Sequence, residues 1–415
     1  MNAILLALLT LAGYLVAYFT YGRFIARKIL GLNPDLPTPA TIKKDGVEYV
    51  PTNSFVLFGH HFASIAGLGP ILGPAIAVIW GWLPAVIWVF FGSILMGAVH
   101  DLVSLGISLR HEGRSIGDIT RDVIGNRARI LFLLIIFFAL SLAMGVFALV
   151  IAQLFTNFHP QAVLPTFGLI FVAMAMGLAV YRWRQPLWLA TILGIIIMIV
   201  TLFLGIEHPI SLYSLFTPKK ITAQIQDLSQ TKGEQLCLVS DFGQSSLDRK
   251  KRILPLKTLT AENQALEKAK KAPVFYQPLD TANVKHMILY FQEKGKKEEV
   301  QALKKAQGLS LTIWIWILLI YSLVASVLPL WLLLQPRDYL NSFQLYAGTG
   351  MIYLGLFLGA PLVVAPMVNP QSHLFSVHPV THIPPLFPFL FITVACGAIS
   401  GFHCLVSSGT TVRQI

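Results

Sequence analysis

The stretch "NSFVLFGHHFASIAGLGPILGPAIAVIWGW", residues 53–82, has the apolar content of a membrane helix and carries the residues least suited to one. His60 and His61 sit side by side, and Gly67, Gly69 and Gly73 are interleaved with Pro70 and Pro74. In lipid every backbone N–H and C=O needs an internal partner, so such interruptions survive only where neighbouring helices or a water-filled cavity satisfy the freed groups. Each proline removes a helical hydrogen bond and clashes with the carbonyl four residues back, at about 3 kcal/mol or more in a helix interior. Falling one turn apart, the two predict an unwound segment near mid-membrane. Discontinuous helices of this kind present half-helix N-termini to anionic groups and bare carbonyls to cations, as in secondary transporters. His60, His61, Gly67, Gly69 and Gly73 are therefore expected to bind substrate, with Pro70 and Pro74 shaping or gating the break. A kink that merely helps packing is the bland alternative.

Composition supports a lipid solvent. Of 415 residues, 55% are hydrophobic and 12% charged, with a mean hydropathy of +0.69; soluble domains carry about 25% charged residues. Three cysteines, Cys237, Cys396 and Cys404, make no disulfide framework and no zinc spacing. The first apolar run has no positive charge before it and no small-residue cleavage site, which predicts a retained anchor. Nine segments are apolar and long enough to span, roughly 1–21, 56–79, 83–108, 130–156, 162–181, 186–206, 309–334, 343–367 and 386–406.

Lys and Arg fill alternate loops: Arg23 to Lys44 after the first span, Arg110 to Arg129 after the third, Arg182 and Arg184 after the fifth. The positive-inside rule then puts the N-terminus outside and these loops in the cytoplasm. Residues 219–307 divide the chain into 1–218 with six spans, a hydrophilic block, and 308–415 with three. The block holds 17 Lys and Arg against 10 Asp and Glu, most of the net charge of +12. The span count puts it outside, and it is too long for the rule to decide. It reads as a solvated, partly disordered insertion, with a folded domain as the alternative; "EQLCLVSDF" suggests a strand and "VKHMILYFQEKGKKEEVQALKKA" surface helices. The basic run "DRKKR" reads as a solvated face. Nucleic-acid binding would rest on charge alone and is not expected.

"VACGAISGFHCLVSSGTT", residues 394–411, repeats the broken-helix theme with Gly397, Gly401 and Gly409 around His403. Ser407, Ser408, Thr410 and Thr411 are expected to complete a substrate cavity, while the spacing of Gly397 and Gly401 also suits close helix packing. Asp101, in "GAVHDLVSLGIS", lies within the third span, where an ionisable group is a functional candidate by default. Asp101 and His403 are expected to couple protons or ions, and the alternative for Asp101 is an ion pair with Arg337. His100 points about 100° from Asp101 and is set aside. Arg337 and Asp338, in "LLLQPRDYLNSF", serve gating or anchoring at the end of the seventh span, which Pro336 is expected to stop. No catalytic residue, metal or cofactor is expected.

Four blocks, "YVPTNSFVLFGHHFASIAGLGPILGPAIA", "GAVHDLVSLGISLRHEGRSIGDI", "ASVLPLWLLLQPRDYLNSF" and "PFLFITVACGAISGFHCLVSSGTT", resemble the carbon starvation protein A (CstA) family of bacterial inner-membrane transporters. The resemblance implies proton-driven uptake of pyruvate or short peptides during carbon limitation. It also implies a LeuT-like (APC-type) core of five-plus-five inverted repeats, with an unwound early helix lining the site. The overall expectation is an all-α polytopic membrane protein with a discontinuous second helix. Departures from the family are the 219–307 insertion, His100 in place of a glutamine, and Val412-Arg413 in place of Pro-Lys. Relatives also continue beyond "SSGTTVRQI", which predicts a C-terminally incomplete core, completed by a second polypeptide or left as a truncated product. Two competing classes are a membrane enzyme or haem protein using His60, His61, His100 and His403, and a sensor whose external block binds a partner.

Overall fold

The computed structural model describes residues 2–33, 35–46, 48–230, 236–240, 251–268, 275–363 and 365–415. The elements follow in chain order. Helix α1 (Ala3–Ala17) continues through wide turns to Ile29; α2 (Ser54–Ile65) and α3 (Leu68–Ala77) form the second span. Then come α4 (Trp82–Gly92), a wide turn over Ser93–Gly97, and α5 (Ala98–Arg110). Next are α6 (Asn126–Gln153), α7 (Val163–Gly177), α8 (Leu187–Glu207) and α9 (Lys219–Gln230). Strands β1 (Leu236–Ser240) and β2 (Lys251–Pro255), α10 (Leu256–Lys268), β3 (Phe275–Pro278) and α11 (Val284–Glu293) follow. The chain closes with α12 (Lys297–Val327), α13 (Leu334–Gly359), α14 (Leu386–Ala398) and α15 (Gly401–Gly409).

Among the described residues, seven helices are long and apolar enough to cross a membrane, or eight when the bent pair α2 and α3 counts as one. The chain is a polytopic, mostly helical membrane protein. The expected eighth span, 343–367, is helical only to Gly359 within α13 and falls outside that set. Ala360 turns into the left-handed region and ends the helix there, so the apolar residues expected to complete the span lie outside it.

Of the three prolines expected to interrupt helices, Pro70 and Pro336 instead open them and Pro74 lies inside one. The second span bends by 48° at Ala66 and Gly67, before the prolines, and α3 runs on through Pro70 and Pro74. Pro70 is the third residue of α3 and Pro336 the third of α13. An amide there has no intrahelical acceptor, so its loss costs nothing. The seventh span correspondingly ends at Val327, ahead of Pro336.

The structure divides into two compact units. The first comprises Met1–Ala139, Ala173–Thr191 and Leu328–Ile415. Here α3 packs on α14 backbone to backbone: a side chain at Gly73 would strike the carbonyl of Thr393, one at Gly69 the thiol of Cys396, and Gly397 abuts Pro70. Helix α2 packs on α13 through Gly59 against Ser342 and through the stacked rings of Phe62 and Tyr346, 5.2 Å apart. The segment 365–385 straps the turn between α3 and α4. Trp80 Nε1 donates to the Pro384 carbonyl at 2.8 Å, and Asn369 N donates to Trp80 O at 3.0 Å.

The second unit comprises Leu140–Val172 and Ile192–Val327. The described part of the hydrophilic block is folded. Strands β2-β1-β3 form an antiparallel sheet, and Tyr213, Ile221, Ile225, Met287, Phe291 and Leu303 share one core. Residues 280–283 seat it on the turn between α6 and α7, with Gln161 Nε2 donating to Asp280 Oδ2 at 2.7 Å and Asn283 Nδ2 to Phe158 O at 3.2 Å. Helix α12 runs unbroken through residue 307, so the sequence boundary there is not a structural one. Most of "DRKKR" lies outside the described residues. Cys237, on β1, is 0% exposed and packs against Leu259 of α10, and burial pushes its thiol pKa up. Iodoacetamide at pH 8 should therefore leave Cys237 unmodified in native protein and modify it after denaturation, read by peptide mass spectrometry.

Candidate functional site

The ninth span is also interrupted, although it lacks the sharp bend of the second. Helix α14 ends at Ala398, Ile399 and Ser400 leave helical geometry, and α15 restarts at Gly401. Glycines bring the third span against this break: a Cβ on Gly97 would collide with the Ala398 carbonyl, and one on Gly92 would lie 3.2 Å from Ala398 Cβ. Polar side chains gather around α2 and α15 in two clusters, because adjacent histidines on α2 diverge.

His60 turns toward α13. It is 1% exposed, and its Nδ1 lies 3.1 Å from Asp338 Oδ2, close enough for an ion pair but not aligned as a hydrogen bond. Its Nε2 has no hydrogen-bond partner among the described residues. Ser64 Oγ donates to Asp338 Oδ2 at 3.1 Å, and Arg337 donates to Asp338 Oδ1 from Nε at 2.9 Å and from its terminal nitrogen at 2.7 Å. Asp338 is 4% exposed, and a buried carboxylate needs this number of donors.

His61 turns toward α15, its Nδ1 2.8 Å from Thr411 Oγ1. Nearby, Asp101 Oδ2 lies 3.6 Å from His403 Nδ1, and Asp101 Oδ1 lies 3.2 Å from His100 Nδ1. The side chain of Asp101 is 19% exposed and that of His100 48%, so Asp101 is the more inward of the two. The partners of Asp101 are thus histidines, and the carboxylate bound by Arg337 is Asp338, not Asp101.

The other sequence candidates have varied positions. Gly67 caps α3 with open space beside it, whereas Gly69 and Gly73 face α14 as packing contacts. Ser407 and Ser408 are each 1% exposed. Ser408 donates to Cys404 O at 2.9 Å and accepts from Ser108 Oγ at its own carbonyl at 3.1 Å, which ties α15 to α5. Thr410 ends α15, and of the hydroxyl group Thr411 reaches His61. Sequence reasoning missed Ser64, Gly59 and Gly97. The four-residue spacing of His60 and Ser64 was a signal; the glycines carried none, since their neighbours are distant in sequence.

The chain is 30% identical to the peptide transporter CstA of Campylobacter jejuni, covering 100% of this chain and 46% of that protein. It is 30% identical to the peptide transporter CstA of Escherichia coli K12, again covering 100% and 46%. It is 29% identical to the pyruvate/proton symporter BtsT of Escherichia coli K12, covering 100% and 45%. The chain therefore spans about half the length of the curated relatives it matches. These matches give no support to the expected second polypeptide. No solved structure matches the chain. The family described as carbon starvation protein CstA matches residues 2–227 and 283–415, leaving out only the middle of the hydrophilic block. On that match the chain belongs to the carbon starvation protein CstA family.

Proposed function

We propose that the chain forms the transport region of a secondary active transporter of the bacterial inner membrane, taking up pyruvate or short peptides together with protons. The observation that carries this reading is the pair of interrupted spans, two and nine, with Asp101, His61 and His403 gathered beside their breaks. The names of the relatives support transport. Residues at the breaks keep polar backbone atoms available to a solute, and rocking of one half against the other around them gives alternating access. A LeuT-like five-plus-five arrangement suits two broken helices in one unit. The basic loops favour a cytoplasmic side at Arg23 to Lys44 and Arg110 to Arg129, with the N-terminus and the hydrophilic block outside.

Asp101, held between two imidazoles, exchanges the coupled proton with His403, and His61 links the pair to Thr411. Labelled pyruvate and dialanine uptake into proteoliposomes, with and without an inward proton gradient, tests the reading. Gradient-dependent uptake is expected, and Asp101→Asn should lower it by about 10- to 100-fold, the equivalent of a lost charged hydrogen bond of about 1.5–3 kcal/mol. Equal uptake without a gradient removes proton coupling, and undiminished uptake in the variant removes Asp101.

A further inference from the structure

We propose that the cleft between the first and third spans holds one anionic phospholipid, its acyl chain laid between the two helices and its phosphate at Arg23. The site needs a bilayer around a polytopic chain; it needs neither the transport reading nor a choice of orientation.

The two spans run side by side and touch at two levels. At one, a side chain on Gly13 would strike the ring of Phe90, and Tyr14 Oη lies 3.0 Å from Ser93 Oγ. At the other, Arg110 donates to the Leu30 carbonyl and Gly106 abuts the Leu30 side chain. Between these levels the helices part. Three wide turns fall in the interval, Tyr18–Gly22 and Ile25–Ile29 on the first span and Ser93–Gly97 on the third. Each departs from the 3.6-residue repeat that would keep one face of a helix toward its neighbour.

The space left is a cleft of about 660 Å³, within the ~300–1,000 Å³ usual for ligand sites. Ala17, Gly22, Ala26 and Ala98 make the room, and Ile25, Ile94, Val99 and Leu102 supply apolar walls. It is open along one side, where Tyr18 is 68% exposed, and a chain sliding in from the bilayer needs that lateral entrance. The opposite face of the third span's wide turn is the one that presses on the break of the ninth: Gly92 and Gly97 both meet Ala398. An occupant of the cleft therefore backs the wall of that break.

Hydrocarbon alone selects nothing here, because lipid tails are as apolar as the walls and lose little by staying in the bilayer. The selecting groups stand at one end. Arg23 lines the cleft with its guanidinium 5.0 Å from the centre of the Phe19 ring, and Arg27 and Lys28 follow within the next turn and a half. Among the described residues none of these three cations is in an ion pair. No Asp or Glu lines the cleft, so the ammonium of a zwitterionic headgroup finds no partner while a phosphate finds a guanidinium. Tyr18 and Tyr21 line the same end, as tyrosines do at headgroup level. Basic pockets between spanning helices take anionic headgroups for these reasons, at about 1 kcal/mol per Lys or Arg.

Native mass spectrometry of the full chain tests the site, after reconstitution in equal parts of phosphatidylglycerol and phosphatidylethanolamine and stepwise delipidation. One phosphatidylglycerol should stay bound in preference to phosphatidylethanolamine. Arg23→Gln should lower that preference about fivefold, the equivalent of ~1 kcal/mol, and Arg23→Lys should keep most of it. Arg27→Gln, outside the cleft, should change it less than Arg23→Gln. Ala98→Phe fills the cleft without touching a charge and should lose the retained lipid. Arg23 and Ala98 are both exposed, so the variants should keep the wild-type circular dichroism. Phosphatidylglycerol with a diazirine on its acyl chain should cross-link wild-type protein within residues 14–26 and 93–102, a result that depends on no variant. Equal retention of the two lipids, equal effects of the Arg23 and Arg27 variants, lipid retained in Ala98→Phe, or cross-links elsewhere overturn the proposal. A lipid-free dimer overturns it too, since a second copy then fills the cleft.

Discussion

Asp338→Ala should destabilise the chain by about 3 kcal/mol, the lower end of the ~3–5 kcal/mol range for removing one member of a buried ion pair. Removal leaves His60 buried with neither ring nitrogen near an acceptor and takes away the carboxylate to which Ser64 and Arg337 donate. The lower end applies because Arg337 is 32% exposed and solvent screens its share. Unfolding in mixed micelles with increasing dodecyl sulfate measures the loss. Asp338→Asn, which keeps the shape and an acceptor oxygen, should fall between the two. The double variant His60→Leu with Asp338→Ala should recover part of the loss, since removing both partners leaves fewer buried polar groups unpaired. A single Asp338→Ala variant as stable as the wild type would show the cluster to be energetically idle.

Gly97→Leu should also be damaging. The position a Cβ would take is occupied by the backbone oxygen of Ala398, which has no rotamer with which to move aside. Overpacking of this kind costs about 1–3 kcal/mol, occasionally more, and here the displaced group is the end of α14 at the break itself. Accumulation in the membrane should fall sharply, and Gly97→Ala should show a smaller loss in the same assay. Gly348 is the control: it lies within α13 with nothing within 4 Å, so Gly348→Ala should be neutral or stabilising by up to about 1 kcal/mol. Equal behaviour of the two alanine variants would rule out close packing as the role of Gly97.

The membrane class and most of the spans were legible because hydrophobic runs are local signals. Helix interruption was legible too, but not its position. Pro70 and Pro336 look like breakers in a list of residues and act as starters, because a proline's effect depends on whether its amide would have had an acceptor. His60 and His61 were read as one feature, yet 100° of helical turn sends them to different acids, and no sequence pattern names the partner 278 or 40 positions away.

Helix α12 carries a mechanical consequence. Its 31 residues, at 1.5 Å each, make a stiff rod about 46 Å long, whose first turns hold Leu303 in the core of the hydrophilic block and whose later turns hold Trp314 against Phe155. Tilting such a lever by 10° about one end swings the other by about 8 Å. Load applied to the block is thereby delivered into the bilayer without a hinge, and any rearrangement among the lipid-embedded turns is amplified at the water-facing end.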